Sequence, residues 1–155
     1  MIEVLTAIDI NCSRHKVSEY SANPDNAPHW FLTVKAAKWK TPRPLTVGSQ
    51  IVFKTEFLKR RFIYIYEIKE YIEGHRLVMK TIISPFPLET IYTWQSIDGN
   101  ITRMSLQSRA STKGLSILLA PFLIFILKKI HNKDLQRLKH IIERKYLAPV
   151  MHVVA

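Results

Sequence analysis

Apolar and polar residues alternate along much of the stretch from Ile2 to Ala110, and the period then lengthens to that of a helix. Residues 2–10 are rich in β-formers, and Asn11 and Ser13 offer N-caps for a short helix ending near Tyr20. The run from Asn23 to Pro28 predicts a turn that holds a single helical turn. Beyond Trp30 the chain extends through Val34 to Trp39. Pro42 and Pro44 then stop any regular element, in a turn that ends at Gly48.

A meander of strands follows. Ile51, Phe53, Thr55 and Phe57 alternate with Val52, Lys54 and Glu56, the period-two mark of a sheet with one wet face, so the aromatic set is expected inward. Residues 62–71 are apolar or aromatic at most positions. Glu73 and Gly74 turn them into a strand over 77–83 whose inner side carries Leu77, Met79 and Thr81. After a break at Ser84 to Pro87, Leu88 to Ile97 pairs through Asp98 and Gly99 with Ile101 to Ala110. Glu89, Thr93 and Gln95 leave Tyr92 and Trp94 inward, and Arg103, Ser105 and Gln107 leave Thr102, Met104 and Leu106 inward.

From Lys113 to about Tyr146 the pattern predicts one helix, roughly 50 Å long at the standard rise. In its second half Leu127, Ile130, Leu135, Leu138, Ile141 and Ile142 form a stripe opposite Lys129, Lys133, Gln136, His140 and Arg144, so this half lies on a core. The first half is apolar around its circumference, with Leu118, Leu119, Phe122, Leu123, Ile124, Phe125 and Ile126 pointing in every direction. One sheet cannot cover them all. A second chain, a lipid surface, or a break at Pro121 that folds this part over a cavity mouth would account for them, as would a kinked, partly buried helix.

A length of 155 residues with 47% hydrophobic and 23% charged residues fits one soluble domain, placed at 1–146 with a tail over 147–155. Lysine and arginine outnumber acids by 23 to 12, a net charge of +11 that invites nucleic acid or anionic membrane. The basic residues are spread through the chain, so a solubilising surface is expected and no nucleic-acid partner. The single cysteine, Cys12, excludes an intrachain disulfide, and Glu3 and Asp9 stand where a secretory signal needs basic residues, so a cytoplasmic location is expected. The apolar run Leu115 to Leu127 is shorter than the roughly 20 residues a bilayer requires and contains Ser116 and Pro121. No metal-ligand spacing and no glycine-rich phosphate loop occurs, so neither metal nor other cofactor is expected.

Asn23 to Trp30 (NPDNAPHW), Leu45 to Ser49 (LTVGS), Glu70 to Leu77 (EYIEGHRL), Tyr92 to Trp94, Thr102 and Arg103, and Asp134 to Glu143 (DLQRLKHIIE) follow one another in an order and spacing that span nearly the whole chain. In this the sequence resembles the START-like, or SRPBCC, superfamily of polyketide cyclases, dehydrases and lipid-transport proteins. The resemblance implies an α+β helix-grip fold, in which a curved seven-stranded antiparallel sheet wraps a long C-terminal helix and two short helices follow strand 1. It also implies a cavity between sheet and helix, used in the family for lipids, sterols, polyketides or plant hormones, with catalysis in some members only. The bulky apolar stretch before residue 128 and the short tail after Tyr146 depart from many relatives.

An apolar ligand gains on the order of 25 cal/mol for each Å² removed from water, so a pocket lined with aromatic rings binds with few polar contacts. Phe53, Phe57, Tyr64, Tyr66, Met79, Tyr92, Trp94, Met104 and Phe122 are the lining candidates, the alternative being that these rings fill the space as core. His131 and Asp134, three apart on the apolar stripe, are candidates for a polar handle, whether orienting a ligand hydroxyl or moving a proton. His29 and Glu70 are weaker polar candidates, and Cys12 and His15 carry no nucleophile motif. A binding or carrier protein for a hydrophobic small molecule is the leading reading. A polyketide cyclase or dehydratase using the same cavity is the second. A contact with anionic membrane, or a homodimer, through Leu115 to Leu127 and the neighbouring Lys128 and Lys129 is the third.

Overall fold

The computed structural model describes residues 1–85, 87–111 and 120–154, with side chains described as far as Leu147. Its elements are β1 (Ile2–Ile10), α1 (Arg14–Ala22), a 3-10 turn (Pro24–Asn26), α2 (Ala27–Trp30), β2 (Val34–Trp39), β3 (Gln50–Phe57), β4 (Arg60–Ile72), β5 (Arg76–Ile83), β6 (Leu88–Asp98), β7 (Ile101–Ala110) and α3 (Ala120–Val154). The seven strands form one antiparallel sheet in the order β1-β7-β6-β5-β4-β3-β2, which curls into a half-barrel with α3 against its concave face. β1 and β2 are neighbours in sequence yet take opposite edges, because α1 and α2 carry the chain between them. The α+β helix-grip arrangement expected from the sequence is therefore present.

The local chemistry follows the turn residues. Asn23 caps the 3-10 turn by accepting the Asp25 N–H at 3.0 Å. Gly48 sits at φ +93°, open to glycine without strain, and donates its N–H to Ile68 O at 2.8 Å, which ties the loop before β3 to β4. Between β6 and β7, Asp98 Oδ1 accepts the Asn100 N–H at 2.7 Å.

The main core lies where the C-terminal part of α3 meets the concave face. Leu135, Leu138 and Ile142 are completely buried there with Ile10, Val17, Trp30, Leu77, Met104 and Leu106. A smaller cluster of Ile2, Val4 and Ala110 is covered by Ala120, Leu123, Ile124 and Leu127, so the N-terminal part of α3 packs on the β1 and β7 edge. One difference from the sequence reading concerns α3: the helix runs on to Val154 rather than ending near Tyr146. Pro121 lies within helix from Ala120 onward, and the stretch before it, where a break was one of the expectations, lies outside the described residues. The expected helix start at Lys113, the apolar residues Leu115 to Leu119 and the end of the proposed tail at Ala155 lie outside the described residues. No helix among the described residues is long and apolar enough to cross a membrane.

A polar clasp closes α3 onto β1. Lys139 Nζ donates to Asp9 O at 2.8 Å and to Glu143 Oε2 at 2.6 Å, and the same Oε2 accepts the Asn11 N–H at 3.0 Å. Burial pushes the Glu143 carboxyl up, but the Asn11 N–H and the Lys139 ammonium outweigh it, and its pKa falls below the ordinary 4.5. A carboxyl lowered by folding adds stability above its unfolded pKa, and that stability is lost as pH falls through the folded value. Glu143→Gln is therefore expected to cost about 1 kcal/mol or less at neutral pH, and the gap to the parent protein should close between about pH 5 and 3. Thermal melts of both proteins across that range check it, and a gap that widens in acid would contradict it.

Candidate ligand-binding cavity

Toward the end of the sheet formed by the start of β6 and the end of β7, the inward residues become small. Trp94 and Met104 face each other across the two strands, then Tyr92 and Leu106, then Thr90 and Ser108, then Leu88 and Ala110. The first pairs fill the space beneath α3. The last do not, and a cavity of about 490 Å³ opens there between the sheet, the α2–β2 junction and the first half of α3. Phe53, Thr55 and Phe57 of β3, Phe62, Tyr64 and Tyr66 of β4 and Met79 of β5 form one side. Phe31, Thr33 and Val34 form the back, and Leu123, Ile126, Leu127, Ile130, His131 and Asp134 of α3 form the roof. The cavity touches both clusters of the core, which hold its walls.

Of the residues singled out from the sequence, Phe53, Phe57, Tyr64, Tyr66, Met79, Tyr92, His131 and Asp134 line this cavity. Trp94, Met104 and Phe122 do not. Trp94 faces inward as the alternation requires, but it lies under α1 and donates its Nε1–H to Ser21 Oγ at 2.9 Å. Met104 is fully buried in the main core. Phe122 is 61% exposed, because helical spacing puts Leu123, Ile126 and Ile130 on the cavity side and residues 122 and 125 on the other. His29 is exposed and offers only its backbone oxygen, to Arg137 Nη2 at 2.9 Å. Glu70 pairs with Arg76 at 3.3 Å away from the cavity lining, and His15 makes a surface pair with Glu19 at 3.2 Å. Cys12 is buried, and burial pushes its thiol pKa up, which leaves it a poor nucleophile.

One corner of the mostly apolar wall gathers three polar side chains. Ser108 Oγ lies 3.0 Å from His131 Nε2, and His131 Nδ1 lies 3.6 Å from Asp134 Oδ2. Asp134 is 1% exposed, and its other oxygen accepts the Leu32 N–H at 2.9 Å. This carboxylate thus does two things, anchoring the α2–β2 junction to α3 and facing the imidazole. His131 Nδ1 makes no hydrogen bond among the described residues, but the charge of the carboxylate 3.6 Å away favours the tautomer with the proton on that nitrogen, in which Nε2 accepts from the Ser108 hydroxyl. The lone pairs of Ser108 Oγ then remain for whatever enters. Burial drives the Tyr66 phenol pKa well above 10, against the opposing pull of its hydrogen bond with Thr90. Burial also raises Tyr92, helped by the nearby Tyr66 and Asp134 charges. Both phenols stay neutral and act as hydrogen-bonding groups, not as bases.

Thr90, Ser108, Ala110, Phe31 and, on α3, Leu123, Ile126, Leu127 and Ile130 line the cavity without being among the candidates read from the sequence. Following the inward alternation of β6 and β7 toward Leu88 and Ala110 would have reached the first three.

No protein-family model and no curated protein matches the sequence. Solved structures do match in shape. A Thermus thermophilus protein superposes with a TM-score of 0.78 at 12% identity, covering 93% of this chain and 99% of its own. A START superfamily protein from Mycobacterium smegmatis gives 0.77 at 11% identity, with 92% and 97% covered. The Zhui aromatase/cyclase from a Streptomyces species gives 0.77 at 10% identity, with 92% and 94% covered. At such identities the likeness is one of fold: the chain shares the helix-grip fold of these structures, among them one described as a START superfamily protein and one as an aromatase/cyclase.

Proposed function

We propose that the protein binds or carries an apolar small molecule in the cavity between sheet and helix, with one polar group of that molecule held at Ser108. The observation that carries this reading is the void itself. A volume of about 490 Å³ falls within the roughly 300–1,000 Å³ usual for sites that enclose small ligands. Its wall is mostly aromatic and aliphatic, with polar groups at the Ser108, His131, Asp134 corner and in the hydroxyl-bearing residues Thr33, Thr55, Thr90, Tyr64, Tyr66 and Tyr92. A ligand with a hydroxyl or amine N–H suits that corner, since Ser108 spends its own proton on His131. The shared fold with a START superfamily protein and with an aromatase/cyclase agrees with hydrophobic ligand binding.

The cyclase or dehydratase reading is not favoured. Of the three acid–base groups it called on, His131 and Asp134 meet in the cavity but Glu70 pairs with Arg76 elsewhere.

Native mass spectrometry of freshly purified protein, with titration of an environment-sensitive apolar fluorophore, tests the proposal. An adduct or saturable uptake at one site per chain is expected. Ile130→Trp projects a larger side chain from α3 into the void and should weaken uptake roughly tenfold or more with little change in melting temperature. No adduct and no uptake by the parent protein, or equal uptake by the variant, would sink the reading.

A further inference from the structure

Elements that border the cavity carry large apolar side chains that are mostly exposed. β3 and β4 are joined by a two-residue turn, Leu58 and Lys59, with φ values of +52° and +64°. Such a turn favours asparagine and glycine, and a leucine in the left-handed region is strained. Leu58 is nevertheless 79% exposed, so its side chain repays the strain with no packing of its own. Next to it Lys59, Arg60 and Arg61 are all exposed, with Glu56 opposite Arg61 as the acid in register.

On α3, whose neighbouring Leu123 and Ile126 line the cavity, Phe122 and Phe125 are 61% and 66% exposed. The exposed Lys128 and Lys129 follow one turn later. Phe57 and Phe62, near the hairpin tip in sequence, and Leu123 and Ile126, next to Phe122 and Phe125, line one cavity, so the tip and the first turns of α3 both border it. Exposed rings and a leucine tip surrounded by a collar of cations have the composition of a surface that enters lipid headgroups. A second copy of the chain fits less well, because a two-fold contact would bring these cations onto themselves in a protein of net charge +11.

We propose that this surface docks on an anionic lipid bilayer, with Leu58, Phe122 and Phe125 entering the headgroup layer and the basic collar meeting lipid phosphates. The cavity then opens at the membrane surface. Docking needs no particular occupant of the cavity, so it stands or falls separately from the binding reading.

Flotation of the full chain with phosphatidylcholine vesicles, with and without phosphatidylglycerol, is the test. Binding is expected with the anionic lipid, weaker by roughly tenfold or more without it, and weaker again as salt rises. The double variant Phe122→Ser/Phe125→Ser should lose most of that binding. Leu58→Asn/Lys59→Gly gives the turn the residues it favours, so it should keep or raise the melting temperature while weakening vesicle binding, a combination that a structural role for Leu58 would not give. Uptake of the apolar fluorophore in solution by all variants, measured alongside, reports on the cavity alone. No flotation with anionic vesicles, or flotation unchanged in both variants, would overturn the proposal. So would a parent dimer, seen by light scattering, that the phenylalanine substitutions convert to monomer, since the face would then be a contact between copies.

Discussion

Asp134→Ala is expected to lower the free energy of unfolding by about 2–3 kcal/mol, a large share of the stability of a domain this size. The carboxylate is 1% exposed and holds the Leu32 N–H at 2.9 Å, which joins the segment between α2 and β2 to the middle of α3. Alanine leaves that N–H without its acceptor and leaves a small void beside His131. It also removes the group that fixes the imidazole tautomer, so the Ser108 hydroxyl is no longer committed to Nε2. Asp134→Asn separates these effects. Its amide oxygen can still accept from Leu32, while its NH₂ turned toward His131 reverses the tautomer and frees the Ser108 oxygen to accept from Nε2–H. About half of the destabilisation is therefore expected to return, and the preference for a ligand bearing a donor should weaken. Urea unfolding should rank the parent above Asn and Asn above Ala. An alanine variant as stable as the parent would show that Leu32 finds another partner and that the tie is not structural.

How far the sequence discloses such a site depends on what its patterns measure. Period two assigns a side chain to a face of the sheet, and on β6 and β7 it does so correctly for Tyr92, Trp94, Met104 and Leu106. It does not measure depth along the strand. Trp94 and Met104 are inward and yet outside the cavity lining, because large residues at their end fill the space under α1 and α3, while the void opens where Thr90, Ser108 and Ala110 leave it unfilled. Residue size along the inward face carries that information, and alternation alone does not. The closeness of His131 and Asp134 is legible for a different reason. His131 and Asp134 interrupt an otherwise apolar helical stripe three residues apart, which puts them on one face, and there they approach to 3.6 Å. Their other partners, Ser108 from β7 and the Leu32 N–H, depend on tertiary contacts that no local pattern encodes. The apolar excess on the first half of α3 was also visible, and it divides as helical geometry demands, with Leu123, Ile126, Leu127 and Ile130 lining the cavity and residues 122 and 125 facing solvent.

Trp30→Ala should cost more than any change at the polar corner, about 3–5 kcal/mol. Trp30 is fully buried, stacks on Phe31 with ring centroids 3.8 Å apart and meets Tyr92 edge-on at 5.9 Å. Phe31 and Tyr92 both line the cavity, so Trp30 is the support behind two of its rings. Its Nε1 has no hydrogen-bond partner among the described residues, an uncompensated burial that the packing of the indole must offset. Trp30→Phe removes that unpaired N–H together with part of the bulk, and is expected to cost only about 1–2 kcal/mol. Trp30→Ala instead vacates the space behind Phe31, and the ring can move into it, widening the cavity toward α2. Uptake of a bulky apolar fluorophore should then rise relative to a small one, while guanidinium unfolding shows a lower midpoint at unchanged slope. If the alanine variant loses less than about 1 kcal/mol, or if both fluorophores respond alike, Trp30 is filler and does not set the cavity wall. The contrast between the two substitutions makes the test specific, because only support of Phe31 and Tyr92 links the loss of stability to a change in which ligand size is preferred.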